Sequence, residues 1–335
     1  MNIIITTADR DFELIACFKD ALKGNGKVFA SNGVMVSALV KADEYVITPM
    51  INDDSYIDFL LKYCKTNNIT AIISRHELDL LVLSKNKERF KKNGITVIVS
   101  DEKAIETCND KWSAHQFLAS LGLKQPKTYI DMELLKQDLL SNAVSFPMIM
   151  KPRWGVGSFG LSQIENLDEL DVLYRKTFRS IFTTYLKHES STAEDRCIIV
   201  QEKINGVEYG LDVLNDLNGK YVTTIAKRKL AMRGHTMAAE TVDSKPFESV
   251  AKAISSNLKH AGNLDVDCFL SDSGDIHVID LNCRFGGQYI FAHTAGANFP
   301  KQIIEWIMGL PTSTENLHVE TGVRQGRDDS YLIRY

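Results

Sequence analysis

The stretch from Leu264 to Gly287 constrains this chain more than any other part of it. Two apolar-rich runs, Val266 to Ser271 and Ile276 to Asn282, flank Asp272, Ser273, Gly274 and Asp275. That composition predicts a β-hairpin closed by a four-residue loop. If Ser271 faces Ile276, then Phe269 faces Val278, Asp267 faces Asp280 and Asp265 faces Asn282. Side chains alternate along a strand, so Asp267, Asp280 and Asn282 share one face. Like charges directly opposite on a sheet, with Cβ atoms about 5 Å apart, repel unless a cation lies between them. Oxygen-only donors on a rigid hairpin suit Mg²⁺, which takes one or two carboxylates and fills its other positions with water and phosphates. The competing reading is a solvated outer face, since paired acids also occur on exposed strands.

Upstream, short β-rich runs alternate with helical patterns from Met1 to about Cys108. The strands are expected at Asn2 to Thr6, Lys27 to Ala30, Tyr45 to Thr48, Thr70 to Ser74 and Thr96 to Ser100, with helices such as Asp11 to Lys23 and Asp54 to Lys65. Such alternation implies a parallel sheet covered on both faces. Thr7-Ala-Asp-Arg-Asp, after the first strand, has no glycine, so the dinucleotide fingerprint is missing from its place. A second small α/β unit follows from Lys127 to Gln201, with strands at Phe146 to Lys151, Leu161 to Ile164 and Cys197 to Gln201 and a helix at Met132 to Asn142. Pro147, near the start of its strand, is compatible with an edge. Lys187 to Glu194 is polar and reads as a surface loop.

Within that unit, Lys151-Pro-Arg-Trp-Gly155-Val-Gly157-Ser158-Phe-Gly160 formally contains G-x-G-x-x-G. It leads into a strand rather than a helix, and no Gly-Lys-Ser/Thr closes it, which excludes a Rossmann turn and a P-loop. A flap remains, whose backbone N–H groups fold over phosphates with Lys151 at its base; the alternative is a glycine-rich surface turn. Lys111 opens a helix, where a cation opposes the macrodipole unless it meets an anionic ligand. Gln201-Glu202-Lys203-Ile204 crosses between two strands, and Glu208 follows on the second. A carboxylate there suits a ribose, and backbone groups suit an adenine; an ordinary linker is the plainer account. Arg228 to His235 is cationic and is read either as a solvated face or as a carboxylate site. Ser244 to Ala261 and Pro300 to Met308 read as helices, and Tyr331 to Arg334 as a strand.

With 335 residues, 44% hydrophobic and 24% charged, the chain can bury a large core and divide into two or three domains. A net charge of −4 provides no basic field for nucleic acid, so small molecules are the expected partners. The six cysteines form no C-x-x-C pair, the start lacks a signal peptide's pattern, and no apolar run reaches membrane-spanning length. A soluble cytoplasmic protein without a membrane partner is expected, with a homodimer left open.

The order of these parts resembles the ATP-grasp superfamily, in particular carbamoyl-phosphate synthase-like proteins and carboxylate-amine ligases, up to about Pro311. The resemblance implies an α/β fold: an N-terminal parallel α/β pre-ATP-grasp domain (1–108), then a two-lobed ATP-grasp module. Its small lobe carries the flap and lead-in helix (109–205), and its C-terminal lobe the metal hairpin and tail (206–335). It implies ATP and Mg²⁺ as cofactors, with Mn²⁺ as an alternative ion. By the same resemblance Lys111 and Lys151 bind phosphate, and Gly155, Gly157, Ser158 and Gly160 form the mobile flap. Gln201, Glu202, Lys203 and Ile204 meet adenine, Glu208 meets ribose, and Asp267, Asp280 and Asn282 hold the metal. Arg284 steadies the transferred phosphate. Apart from the resemblance, Arg228 and Arg233 are candidates for holding a carboxylate, since a guanidinium pairs with it bidentately; Arg228 is grouped with the cofactor and Arg233, beside Gly234, with the acceptor substrate. The family's usual Glu-x-Asn, often followed by Pro-Arg, is here Asp280-Leu-Asn282-Cys283-Arg284. The implied reaction activates a carboxylate as an acyl phosphate for an amine. Carbamate phosphorylation and a non-catalytic ATP-binding regulator are the alternatives; His-Arg-Asp and Asp-Phe-Gly triplets are both absent, so a protein-kinase arrangement is not available.

Overall fold

The computed structural model describes residues 1–9, 12–155 and 157–328. The strand expected at Tyr331 to Arg334 therefore lies outside the described residues. In the N-terminal domain β1 (Asn2–Thr6), β2 (Val28–Asn32), β3 (Glu44–Ile47), β4 (Ile69–Ser74) and β5 (Thr96–Ile98) form a parallel sheet in the order β3-β2-β1-β4-β5. Helices on both faces bury consecutive residues of a strand, which is why Ile3, Ile4 and Ile5 are all inaccessible.

Next come β6 (Thr128–Tyr129), β7 (Met148–Pro152), β8 (Ser162–Ile164) and β9 (Ile198–Glu202), antiparallel in the order β6-β9-β7-β8. Pro147 does not make β7 an edge. It precedes the strand, so no ladder hydrogen bond is lost, and β7 lies between β9 and β8. Nor is Lys187 to Glu194 a loop: helical turns run over Lys187–Ser190 and Ser191–Arg196.

The last sheet comprises β10 (Gly206–Asn215), β11 (Tyr221–Met232), β12 (Thr236–Val242), β13 (Gly262–Ser271), β14 (Ile276–Asn282) and β15 (Arg324–Gly326), in the order β14-β13-β10-β11-β12-β15. All its pairings are antiparallel. The α/β fold with a parallel N-terminal sheet is thus borne out.

The expected hairpin is present, with a corrected turn. Gly274 takes a left-handed φ of +83°, and Ser271 N–H donates to the Asp275 carbonyl, so the loop holds three residues instead of four. Near the turn Phe269 therefore faces His277 and Leu270 faces Ile276, one position off the expected register. The register shifts between Asp267 and Cys268, leaving Ile279 as the extra residue of a bulge. Beyond it Asp267 faces Asp280 and Asp265 faces Asn282, as the alternation requires.

Two hydrophobic cores are each shared by the N-terminal domain and the large sheet: Leu80 and Phe90 with Leu211 and Val266 in one, Ile3 and Ile5 with Leu214 and Ile225 in the other. A third, with Met148, Ile164 and Val200, belongs to the small lobe.

Candidate active site

Alternation along β10, β11, β13 and β14 brings Glu208, Lys229, Asp265, Asp267, Asp280 and Asn282 onto one face of the large sheet. The acids are not simply opposed. Lys229 Nζ lies 2.7 Å from both Glu208 Oε1 and Asp267 Oδ1. Gln288 Nε2 donates to Asp265 Oδ1 at 2.6 Å and Asp267 Oδ1 at 3.0 Å. Two glycines make room for this. A Cβ on Gly210 would fall 1.6 Å from Gln288 Oε1, and one on Gly286 would fall 2.3 Å from Asp265 Cγ.

The two central carboxylates are driven apart. Burial pushes Asp267 above its usual range, with Asp265 reinforcing and Lys229 opposing. Burial acts on Asp280 too, and is the largest single influence there, yet Lys111, Lys151, the Asn282 amide and Arg284 together hold Asp280 below its usual range. Asp280 accepts from Asn282 Nδ2 at 3.4 Å. This all-oxygen donor set fits Mg²⁺ in kind. Among the described residues no three His, Cys, Asp or Glu side chains converge on a metal-sized site, so a cation here would rest on two acids and an amide.

The small lobe and its lead-in helix supply the cations. Burial depresses Lys151 to about 8, Lys111 adds to this, and Asp280 and Asp267 oppose it. Its Nζ lies 3.5 Å from the carbonyl of the bulged Ile279. Lys111 is the first residue of the helix Lys111–Ser120, whose N-cap Asp110 accepts from Trp112 N–H, and its Nζ donates to the Gly155 carbonyl at 2.7 Å. Arg153, two residues after Lys151, is already partnered. It grips Asp110 with two hydrogen bonds of 2.7 and 2.6 Å and stacks on Trp154. The flap runs between β7 and β8, with Gly155, Gly157 and Gly160 at positive φ, and Ser158 Oγ donates to the Gly234 carbonyl at 3.2 Å.

Arg284 is buried: its Nε lies 2.9 Å from Glu77 Oε1 and its Nη1 3.1 Å from Asp265 Oδ2. Glu77 in turn is held below its usual range, Arg284 and His76 outweighing the larger effect of burial. Arg228 pairs with Glu240, because it points away from the face that Lys229 occupies. Arg233 sits exposed at the β11–β12 tip. Gln201 turns inward, donating to Thr128 Oγ1. Glu202 accepts the Lys127 N–H, while Lys203 and Ile204 form the crossing to β10. Cys283 is buried with its sulfur 3.2 Å from that of Cys108, and burial, then Cys283 itself, pushes the Cys108 thiol up. Lys229, Gln288 and Glu77 were missed in sequence. Only Lys229 carried a signal, its parity on β11.

A family model described as the PylC-like N-terminal domain matches residues 3–98, and one described as the ATP-grasp domain matches residues 108–288. The chain is 25% identical over 218 residues to the carbamoyl phosphate synthase large chain of Thermoplasma acidophilum, covering 62% of this chain and 20% of that one. It thus spans about a fifth of the length of the carbamoyl phosphate synthase chains it matches. Among solved structures it is similar in fold to the biotin carboxylase domain dimer of Hydrogenobacter thermophilus 2-oxoglutarate carboxylase in complex with MgADP, ADP and bicarbonate. That match has a TM-score of 0.71 and 17% identity, covering 95% of this chain and 72% of the other. The L-amino acid ligase of Bacillus licheniformis matches with a TM-score of 0.68 and 18% identity, over 94% of this chain and 77% of the other. Among the described residues no helix is long and apolar enough to cross a membrane.

Proposed function

The chain belongs to the ATP-grasp family, and on that premise we propose an ATP- and Mg²⁺-dependent ligase that joins a small carboxylate to an amine. The observation that carries the proposal is the facing of Asp280 and Asn282 by Lys111 and Lys151, cations that keep Asp280 ionised despite its burial. Bound to Asp267, Asp280 and Asn282, Mg²⁺, or Mn²⁺ in its place, would neutralise phosphate charge. Lys111 exchanges the Gly155 carbonyl for phosphate oxygens, Lys151 adds a second cation, and the flap amides close over them. The crossing Gln201 to Ile204 receives adenine, and Glu208 the ribose hydroxyls. The substrate carboxylate oxygen bonds to the γ-phosphorus as ADP leaves. The amine nitrogen then bonds to the acyl carbon, and phosphate and a proton depart.

Both homologous ligation and carbamate phosphorylation release ADP, so the test is ADP release with Mg²⁺ across a panel of carboxylates, bicarbonate and amines. Release that needs both a carboxylate and an amine is expected. Nucleotide binding without release for any pair would overturn the ligase reading in favour of a binding module.

A further inference from the structure

Phosphoryl transfer runs with one divalent ion or with two, and the oxygen donors left open on a site set the number. Four carboxylates, Glu208, Asp265, Asp267 and Asp280, share the acidic face of the large sheet, and most of their oxygens are taken. Asp265 has neither to spare: Gln288 Nε2 donates to Oδ1 at 2.6 Å, and Arg284 Nη1 lies 3.1 Å from Oδ2. Lys229 Nζ lies between Glu208 Oε1 and Asp267 Oδ1, and Gln288 donates to that same Asp267 oxygen. Among the described residues no hydrogen bond or ion pair engages Asp267 Oδ2, and the side chain keeps 24% of its surface exposed. Glu208 keeps Oε2, which the ribose hydroxyls claim in the proposed reading. Asp267 Oδ2, the Asp280 carboxylate and the Asn282 carbonyl therefore remain. Two acids and an amide are the protein's share of one Mg²⁺, whose other positions go to water and phosphates.

The sheet explains how Lys229 comes to lie there. Tyr209 pairs with Arg228, which sets Lys229 against Glu208, and Asp267 lies one strand further on, opposite Gly210. The lysine stem crosses β10 beside a residue that has no side chain to block it. With 3% of its side chain exposed, Lys229 is a fixture of the sheet face. Facing acids call for a cation, and this pair already has one. We propose that Lys229 is a resident cation standing where a second divalent ion would bind, so that the site works with a single metal ion on Asp267, Asp280 and Asn282. The place of that single ion rests on the ligase reading; the filling of the gap between Glu208 and Asp267 by Lys229 does not.

The test counts Mn²⁺ retained in ultrafiltration by the full chain with one equivalent of β,γ-methylene-ATP, and uses electron paramagnetic resonance to show whether retained ions are spin-coupled. No turnover is needed. The wild type should retain one uncoupled Mn²⁺ per chain, and about tenfold more Mn²⁺ should add no second. Lys229→Met keeps the stem and removes the charge, so it should take up a second Mn²⁺, coupled to the first, within that same range. Lys229→Gln should do likewise and covers the case in which Lys229→Met does not fold, whereas Lys229→Arg, which keeps the charge, should retain one. Two ions in the wild type or in Lys229→Arg, or a single ion in folded Lys229→Met or Lys229→Gln, would overturn the proposal. ADP release tells the two readings apart. If the wild type releases ADP and holds two ions, the ligase stands and the resident cation falls. If the counts come out as expected and no substrate pair elicits ADP, the resident cation stands and the ligase falls. Retention of no Mn²⁺ at all would remove both.

Discussion

Glu77→Gln should destabilise the protein and accelerate it. Glu77 belongs to the N-terminal domain, and its Oε1 lies 2.9 Å from two nitrogens of Arg284, with side-chain exposures of only 14% and 12%. At that separation and an effective dielectric near 20, the gross attraction is about 6 kcal/mol. Deleting one partner of a buried pair costs roughly 3–5 kcal/mol. Arg284 keeps Asp265 at 3.1 Å and the Phe285 carbonyl, so part of its charge stays compensated. The net loss should be about 2 kcal/mol, which in a chain of this size lowers the melting midpoint by roughly 3 °C. Turnover should move the other way. If Arg284 must turn from Glu77 toward a phosphoryl group, loosening that grip lowers the cost of the turn, and kcat should rise by a factor of about 3 to 10. Calorimetry and ADP release on the same preparation decide. A midpoint unchanged within about 1 °C would mean that solvent screens the pair. Loss of both stability and turnover would mean that Glu77 holds Arg284 in its working position, and the reasoning would be wrong.

Asp280→Asn should keep the melting profile within a few degrees yet cut Mg²⁺-dependent ADP release by about a hundredfold or more, since charge leaves the donor set while shape remains; full activity would sink the metal assignment. His260, fully buried with Nε2 against the Val213 carbonyl, is depressed by burial to about 4, so it stays neutral in the fold while the unfolded chain takes a proton below about 6.5. Stability should therefore fall by about 1.4 kcal/mol per pH unit between about 6.5 and about 4, and His260→Gln should flatten that slope in urea titrations; an unaltered acid limb would refute it. Gly286→Ala should cost about 1–3 kcal/mol in the same titrations by displacing the Asp265 carboxylate, whereas Gly287→Ala, with nothing near its added methyl, should be silent; equal effects would show that Asp265 yields freely.

Alternation made the acidic face legible, because residues two apart on a strand share a face whatever the turn does. The cross-strand pairing of Asp267 with Asp280 and Asp265 with Asn282 came out as expected because the one-residue bulge at Ile279 offsets the one-residue-shorter turn. The turn itself was ambiguous since Asp272 to Asp275 suits three- and four-residue loops alike, and only the hydroxyl and N–H of Ser271 meeting Asp275 select the shorter one. Lys229 was within reach by the same parity rule but was overshadowed by two arginines, which bind carboxylates better as isolated side chains. Glu77 and Arg284 stand 207 positions apart, and no local pattern connects them. The helical turns over Lys187–Ser190 and Ser191–Arg196 were hidden by composition, since a run rich in Ser, Thr and charge reads as a solvated loop.

The partition of the cores also bears on how Lys111 and Lys151 come together. Ala114 and Leu118, on the helix that Lys111 begins, pack into the core shared by the N-terminal domain and the large sheet, whereas Met148 and Met150, which precede Lys151 on β7, pack into the small lobe's own core. Lys111 and Lys151 therefore stand on different packed bodies. Moving one body against the other leaves both cores whole and breaks polar ties instead, among them Lys111 to the Gly155 carbonyl and Ser158 to the Gly234 carbonyl. Each such tie is worth about 1 kcal/mol net, far less than the burial of even a few core side chains. The stronger tie, Arg153 on Asp110, joins the two bodies next to Lys111. Phosphates that replaced the Gly155 carbonyl on Lys111 and engaged Lys151 would thus act on the joint between the bodies, and the charge they brought would offset the Lys111 repulsion that adds to burial in depressing Lys151.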